Sequence, residues 1–307
     1  MRWRRSPSGH PPAVGPTPPL FHEKSEHTVT TRTRIDIVRD AKAEVSGIGA
    51  FNVVLLEHAE AIAEAAEQAD LPVVFQISQN CVAYHGSLAP LALATLSIAE
   101  SLSVPSLVHL DHADDPALVD EAIQLGMHSV MFDASRLPYA ENVTSTRDIA
   151  RRCHERGVLI EAELGEVGGK DGVHAPGART DPADARRYLE ATGVDWLAVA
   201  VGTSHAMTTR NASIDAPLVG RIAESVSAPL VLHGSSGLSD DQLRLAVASG
   251  MTKVNISTHL NSLFTDSLRG VIADAPSLVD PRRYVGKGRD TITTEIARLL
   301  RVLRSAD

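Results

Sequence analysis

The sequence predicts an α/β fold, namely a single (β/α)8 TIM barrel. From about residue 30 onward, short runs rich in Val, Leu and Ile alternate with longer segments of helical period. This alternation occurs roughly eight times, the number of units that closes a barrel. The chain has 307 residues, enough for a barrel of about 250 residues. An open doubly wound sheet is the alternative, but no glycine-rich nucleotide fingerprint follows the first predicted strand.

Residues 1–28 are predicted to form an extension outside the barrel, which then spans residues 29–307. Five prolines between residues 11 and 19 exclude regular structure there. No apolar segment follows the arginines at the start, so the segment does not resemble a secretory signal. We expect a flexible extension, or the product of an upstream start codon.

The first half of the barrel begins with a predicted helix that carries Ile35, Val38 and Ala41. The elements that follow are predicted from the spacing of apolar residues, which recur every two residues in a strand and every 3.6 residues in a helix. In chain order they are strand 47–54, helix 56–69, strand 72–78, helix 89–103, a strand from 107 to 112, a helix from 115, strand 129–133 and helix 139–156.

The second half repeats this order around a glycine-rich loop. Its predicted elements are strand 158–164, helix 182–192, strand 196–202, helix 215–226, strand 229–234, helix 239–249, strand 253–258, and helices 259–273 and 289–304.

Composition excludes several classes of protein. A hydrophobic content of 43% is too high for a wholly disordered chain. The net charge of −9 argues against nucleic acid as a principal partner, and no apolar run is long enough to span a bilayer. Two cysteines give no disulfide framework, so we expect a cytoplasmic protein.

The third predicted strand ends in ionisable residues, Asp111 and His112. Adjacent strand residues face opposite sides, so both can reach the barrel mouth only if the backbone turns there. A lone Asp-His pair is more often a strand end with a solvated loop than a functional site.

Three predicted strands finish at or near a histidine: His112, His205 and His233. Each histidine alone is more often a buried, hydrogen-bonded residue than a ligand. The strands of a parallel barrel end on one face, so the three imidazoles should converge there. Three imidazoles with an open fourth position suit a catalytic zinc.

The last two predicted strands end in Gly234–Gly237 and in Asn255–Thr258. Gly-Ser-Ser-Gly alone is an ordinary tight turn. Barrels of this class commonly bind phosphate after their last two strands, on backbone amides and hydroxyls, so the position favours a phosphate site.

Taken together, these segments resemble the class II (zinc-dependent) fructose-bisphosphate aldolase family, including its tagatose-bisphosphate branch. The resemblance runs from residue 30 to about 300. Its segments are Gly49–Asn52, Leu110–His112, Ser129–Ser135, Glu161–Gly165, Val201–His205, Leu232–Leu238 and Lys253–Thr258.

The resemblance implies Zn²⁺ on His112, His205 and His233, with Glu163 at a second position of the ion. It implies that Asp111 handles the proton of the C4 hydroxyl. Its further implied substrate- and phosphate-binding residues are Ser78, Gly202, Thr203, Ser204, Gly234, Ser235, Ser236, Asn255, Ser257 and Thr258.

The resemblance also implies a phosphorylated sugar substrate and a homodimer or higher homo-oligomer. Arg282 matches an arginine that reaches the distal phosphate from a neighbouring subunit. A monovalent cation near the phosphate is an additional candidate ligand. A lysine Schiff base is not needed, and we expect Lys253 to support the phosphate region.

One segment departs from the family pattern. The mobile loop reads Gly168–His174 here and lacks the glutamate that moves the proton on the triose carbon. Asp171 is the first candidate to replace it, and Glu166 and His174 are weaker candidates. Two alternatives therefore stay open: an aldolase for another ketose phosphate, and a metal-dependent sugar-phosphate binder without catalysis.

Overall fold

The computed structural model describes residues 37–164, 179–203 and 212–304. All three ranges belong to one compact unit that begins at Arg32. The predicted extension over residues 1–28 lies outside the described residues, so that boundary stays a prediction.

Eight parallel strands pair in sequence order, and the last closes onto the first. The predicted (β/α)8 TIM barrel is therefore confirmed. The strands are β1 Ile48–Asn52, β2 Val73–Ser78, β3 Ser106–Ala113, β4 Ser129–Phe132, β5 Leu159–Leu164, β6 Trp196–Val199, β7 Leu230–Leu232 and β8 Met251–Ile256.

Helices surround the barrel, and aspartate or serine caps several of their N-termini, as at Asp115, Asp181 and Ser239. The described helices are α1 Ile37–Ala43, α2 Leu56–Ala69, α3 Gln79–His85, α4 Ala89–Glu100, α5 Pro116–Leu125, α6 Tyr139–His154, α7 Pro182–Thr192, α8 Ala216–Ser225, α9 Asp240–Ala248, α10 Thr258–Asp274 and α11 Pro281–Arg304.

The short helix α1 closes one end of the barrel. Ile37 and Val38 pack with strand residues that point into the interior, such as Ile48. Lys42 Nζ donates to the carbonyls of Ser227 and Ala228 (2.7 and 2.9 Å), just before β7 begins. The amino ends of the strands are thereby covered, and the opposite end forms the mouth.

Two helices differ from the sequence prediction. Helix α3 was not predicted, because seven residues directly after a strand show no helical period; its N-cap is Ser78, whose Oγ accepts from the Cys81 amide. Helix α11 begins at Pro281 instead of at 289. Gly286 and Gly288 make this stretch a poor helix by propensity, but Gly288 fits closely against Phe264 and Leu268 of α10.

Among the described residues, no single helix is long and apolar enough to cross a membrane. Helices α3 and α4 meet that criterion only as a bent pair.

Candidate active site

A β-bulge in β3 directs both Asp111 and His112 toward the barrel mouth. Between Leu110 and Ala113, β3 advances three residues while β4 advances two, and His112 has a φ of +51°. A left-handed non-glycine residue is uncommon and marks a position that surrounding contacts hold in place. The backbone turn expected from the sequence is present, although the strand continues to Ala113.

The mouth contains a cavity of about 410 Å³. Many of the predicted substrate-binding residues line it. The lining residues are Asn52, Gln76, Ser78, Gln79, Asn80, Asp111, His112, Asp114, Asp133, Arg136, Gly234, Ser235, Ser236, Asn255, Ser257 and Thr258.

Three side chains in this region could hold one metal ion. Each of Asp111, His112 and His233 offers a ligand atom, and these atoms lie within 4.8 Å of one another. The two imidazole rings have centroids 4.7 Å apart. Imidazole and carboxylate are ligands that zinc prefers, and Asp111 Oδ1 is buried with no hydrogen-bond partner among the described residues. The residues present therefore fit a divalent cation.

His112 is oriented by Asp133, a residue at the end of the neighbouring strand that the sequence analysis left without a role. His112 Nδ1 donates to Asp133 Oδ2 at 3.0 Å. Asp133 Oδ1 in turn accepts from the Ser135 hydroxyl at 2.6 Å and from its amide at 3.2 Å. With its proton on Nδ1, the ring presents the Nε2 lone pair as the ligand atom, the usual arrangement for a metal-binding histidine.

We expect Asp133→Asn to weaken zinc affinity by roughly 10- to 100-fold, since an amide orients and polarises the imidazole less well. Competition with a chromophoric chelator measures this affinity. Asp195→Asn is the matched control, because Asp195 accepts from His154 Nε2 at 2.9 Å far from the cavity. An unchanged affinity in Asp133→Asn would show that this contact does not support metal binding.

His233 lies between two carboxylates in the barrel interior. Its Nδ1 donates to Glu163 Oε2 at 3.0 Å, and its Nε2 donates to Glu161 Oε1 at 2.9 Å. Burial lowers the pKa of His233, but the hydrogen bonds to Glu161 and Glu163 outweigh it and raise the pKa to about 9. A metal ion must therefore displace a proton from this ring. Glu161, the partner of Nε2, also binds a lysine. Nδ1 of His233, whose partner is Glu163, is therefore the candidate metal-ligating atom.

That lysine is Lys253, which is fully buried. Its Nζ donates to Glu161 Oε2 and to Asn255 Oδ1, both at 2.9 Å. Burial raises the pKa of Glu161, but Lys253 and His233 outweigh it and hold the pKa well below its usual range. Lys253 thus lies in the barrel interior, bonded to the Glu161 carboxylate and to the Asn255 amide. Its expected support of the phosphate region stays a prediction.

Asp111 stays ionised at neutral pH. Burial raises its pKa, but electrostatic interactions with His112, Lys253 and His233 outweigh it and lower the pKa below its usual value. A group that accepts a proton must begin in its charged form, so Asp111 has the electrostatic environment of a general base.

The predicted phosphate loops lie together at the carboxyl ends of β7 and β8. Gly234 has a φ of +66° and opens a 3-10 turn over Ser235–Gly237. The Ser235 hydroxyl bonds the Asn255 carbonyl, and the Ser257 amide donates to Ser236 Oγ at 3.4 Å. Helix α10 begins at Thr258, and the side chain of its N-cap residue, Ser257, makes no capping hydrogen bond. Its first amides and partial positive charge suit an anion.

Some predicted site residues lie outside the cavity, and others fall outside the described residues. Gly202 and Thr203 do not line the cavity; Thr203 Oγ1 donates to the His233 carbonyl at 2.6 Å and so supports that residue's backbone. Arg282 is exposed and bonds Asp280 of its own chain. The predicted roles of His205, Ser204, Asp171, Glu166 and His174 fall outside the described residues.

Gln76 is a further residue that the sequence analysis missed. It is buried in β2, and its Nε2 donates to Asn52 Oδ1 at 2.7 Å. Both amides line the cavity. A glutamine within an otherwise apolar strand was the available signal, as was the alternation of Glu161 and Glu163 in β5.

Residues 32–307 match the sequence model for class-II fructose-bisphosphate aldolase. The chain belongs to this family. The aldolase is 35% identical to a fructose-bisphosphate aldolase of Thermus caldophilus over 287 residues, covering 85% of this chain and 93% of that one. A fructose-bisphosphate aldolase of Giardia intestinalis is 34% identical, with 87% and 91% covered. The crystal structure of the YdjI aldolase from Escherichia coli K12 superposes with a TM-score of 0.78 at 30% identity, covering 88% of this chain and 96% of that chain.

Family membership makes the aldolase an aldehyde-lyase, and the family acts on phosphorylated sugars and typically depends on zinc. The cluster of Asp111, His112 and His233 is where such an ion fits.

Proposed function

We propose that the aldolase is zinc-dependent and reversibly cleaves fructose 1,6-bisphosphate, or its C4 epimer tagatose 1,6-bisphosphate. The products are dihydroxyacetone phosphate and glyceraldehyde 3-phosphate. The observation that carries this proposal is the convergence of Asp111, His112 and His233 within 4.8 Å at the cavity. An ionised carboxylate can accept the hydroxyl proton in an aldol cleavage, and two imidazoles can hold the metal ion that stabilises the charge left behind.

The ion would be held by His112 and His233, with His205 and Glu163 as the further expected ligands. When bound, it supplies a Lewis acid that stabilises the negative charge left on the triose.

Asp111 takes the proton. In the cleavage direction the C4 hydroxyl proton passes to the Asp111 carboxylate, the C4–O bond becomes a carbonyl, and the C3–C4 bond breaks. The electron pair remains on the triose as an enediolate, and C3 then gains a proton. We propose Asp171 as the donor of that second proton, in place of the glutamate usual in the family.

The phosphate of the triose half is proposed to bind at the β7 and β8 loops. Ser235, Ser236, Ser257 and Thr258 line that side of the cavity, and the N-terminus of α10 opens onto it. Backbone amides at a helix N-terminus bind phosphate without a charged side chain. Asn255 lines the same cavity, and we propose that it contacts the triose itself. A monovalent cation near the phosphate belongs to the same proposal.

A coupled assay tests this function: zinc-loaded protein is incubated with each sugar bisphosphate, and triose phosphate is detected through NADH oxidation by glycerol-3-phosphate dehydrogenase. We expect turnover that disappears after treatment with a chelator and returns with zinc in a ratio of one ion per chain. Zinc-loaded, folded protein without turnover on either sugar would contradict the proposal.

The altered loop 168–174 favours a second candidate, an aldolase for another ketose phosphate. A panel of ketose mono- and bisphosphates decides between the two. A sugar-phosphate binder without catalysis, the remaining alternative, would bind dihydroxyacetone phosphate tightly and release no product from any sugar in the panel.

We further propose a cytoplasmic glycolytic enzyme that assembles as a homodimer or larger homo-oligomer, with Arg282 reaching the distal phosphate of a neighbouring subunit. Its exposed position in its own chain agrees with this role. Sedimentation of the purified protein tests the assembly.

A further inference from the structure

The amide of Asn255 is held from one side by the buried side chain of Lys253. Lys253 Nζ donates to Asn255 Oδ1 and to Glu161 Oε2, both at 2.9 Å, and the lysine is fully buried. The oxygen and nitrogen of an amide are alike in shape, so the hydrogen-bond partner decides which of them faces it. An ammonium group has donors only. The amide oxygen of Asn255 must therefore face Lys253, and its NH2 group must point the other way.

The backbone of Asn255 is fixed as well, which leaves its NH2 group on the cavity side. Asn255 pairs in register with Ala50 of β1, and its carbonyl accepts from the Ser235 hydroxyl. The residue lines the cavity. Within the ranges that the structure describes, the NH2 group has no hydrogen-bond partner. It is thus a donor that a bound molecule can use.

Asn255 lies next to a residue of the metal cluster on the neighbouring strand. Leu232 of β7 is in register with Val254 of β8, and the residues that follow them are His233 and Asn255. In the proposed cleavage, negative charge develops on the oxygens of the triose. A fixed donor aimed at such an oxygen stabilises the transition state, whereas the oxygen of an amide turned the other way would repel it.

We propose that Lys253 is a positioning residue, which holds the Asn255 amide so that its NH2 group donates to the triose oxygen on which the negative charge develops. This inference rests on the proposed aldolase function, and it gives Lys253 a role apart from the expected support of the phosphate region. A hydrogen bond to a charged group favours one arrangement by roughly 10- to 100-fold. That preference keeps the amide almost entirely in one orientation.

The test measures kcat and KM for the sugar bisphosphate in zinc-loaded Lys253→Met, Asn255→Ala and the double variant. Removing one donor to a developing oxyanion typically costs about 10²- to 10³-fold in kcat, so we expect a loss of about 100-fold in Asn255→Ala. In Lys253→Met the amide is free to turn over, and kcat should fall about tenfold with KM within about twofold. The double variant should match Asn255→Ala within about twofold, because no amide is left for the lysine to hold.

Binding measurements give a readout that does not depend on turnover. Calorimetry provides Kd for inorganic phosphate and for a hydroxamate analogue of the enediolate of dihydroxyacetone phosphate. Lys253→Met should weaken binding of the analogue about tenfold and leave Kd for phosphate within about twofold. Lys42→Met is the matched control, since Lys42 Nζ also donates to two oxygens, the carbonyls of Ser227 and Ala228 at the amino ends of the strands. It should leave kcat and both Kd values unchanged.

A further tenfold loss of kcat in the double variant, relative to Asn255→Ala, would overturn the proposal. Lys253 would then act through Glu161 and His233, and not through Asn255. An unchanged kcat in Lys253→Met would overturn it as well. Wild-type protein that cleaves no sugar would instead refute the aldolase function itself, and this inference with it.

If Lys253→Met does not fold, Asn255→Asp decides the orientation of the amide, because it keeps the lysine in place. A carboxylate offers an acceptor on the cavity side and no donor. With the NH2 group facing the cavity, Asn255→Asp should lower kcat at least as much as Asn255→Ala. A clearly milder loss in Asn255→Asp would mean that the amide oxygen faces the substrate, and the proposal would fail.

Discussion

Asp111→Asn is expected to lower kcat about 1,000-fold while zinc content stays at the wild-type level. Removing a general base typically costs between 10² and 10⁴ in rate. The amide matches the carboxylate in shape but cannot accept the C4 hydroxyl proton. The coupled triose assay gives kcat, and metal analysis of the same preparation gives the zinc content.

Asp114→Asn is the control for this variant, because it removes one negative charge from the same cavity wall. Asp114 pairs with Gln79 and is exposed, so kcat should change by no more than a few-fold. If Asp111→Asn instead loses its zinc, Asp111 is a metal ligand and not the base. Because Asp111, His112 and His233 lie so close together, the zinc content of Asp111→Asn directly tests whether Asp111 is the base or a metal ligand.

Much of the barrel could be predicted from the sequence, because the signals for it are local. Helix α2 spans residues 56–69, as its period indicates, and Pro116 marks the first residue of α5. His112 and His233 could be placed at one rim from strand ends alone, since parallel strands all end on one face. The position of Asp111 beside His112 at this rim could be predicted for the same reason.

The hydrogen bonds and ion pairs that hold these residues in place could not be predicted, since they form between strands that are distant in sequence. Glu161 is 72 residues from His233 in sequence and 92 from Lys253. In the sequence, Glu161 and Lys253 are single charges beside apolar residues, with nothing to pair them. The bulge at His112 depends on the register between β3 and β4, which no hydrophobic pattern of one strand specifies.

Lys253→Met is expected to destabilise the metal-free protein by about 3 kcal/mol, because it leaves the Glu161 carboxylate buried without its cation. Removing one partner of a buried ion pair typically costs about 3–5 kcal/mol, whereas replacing both is often nearly neutral. His233 still donates to Glu161 in the variant, which places the expected value at the low end. Urea unfolding followed by the fluorescence of Trp196, buried in the barrel interior, gives the change.

The double variant Lys253→Met/Glu161→Gln isolates the interaction between the two residues. Its loss of stability should be smaller than the sum of the two single losses by about 1–3 kcal/mol, because the amide leaves no unpaired charge. Arg151→Met, which breaks an exposed pair with Glu155, should cost no more than about 0.5 kcal/mol. Additive losses would mean that the 2.9 Å contact between Lys253 and Glu161 contributes no net stability.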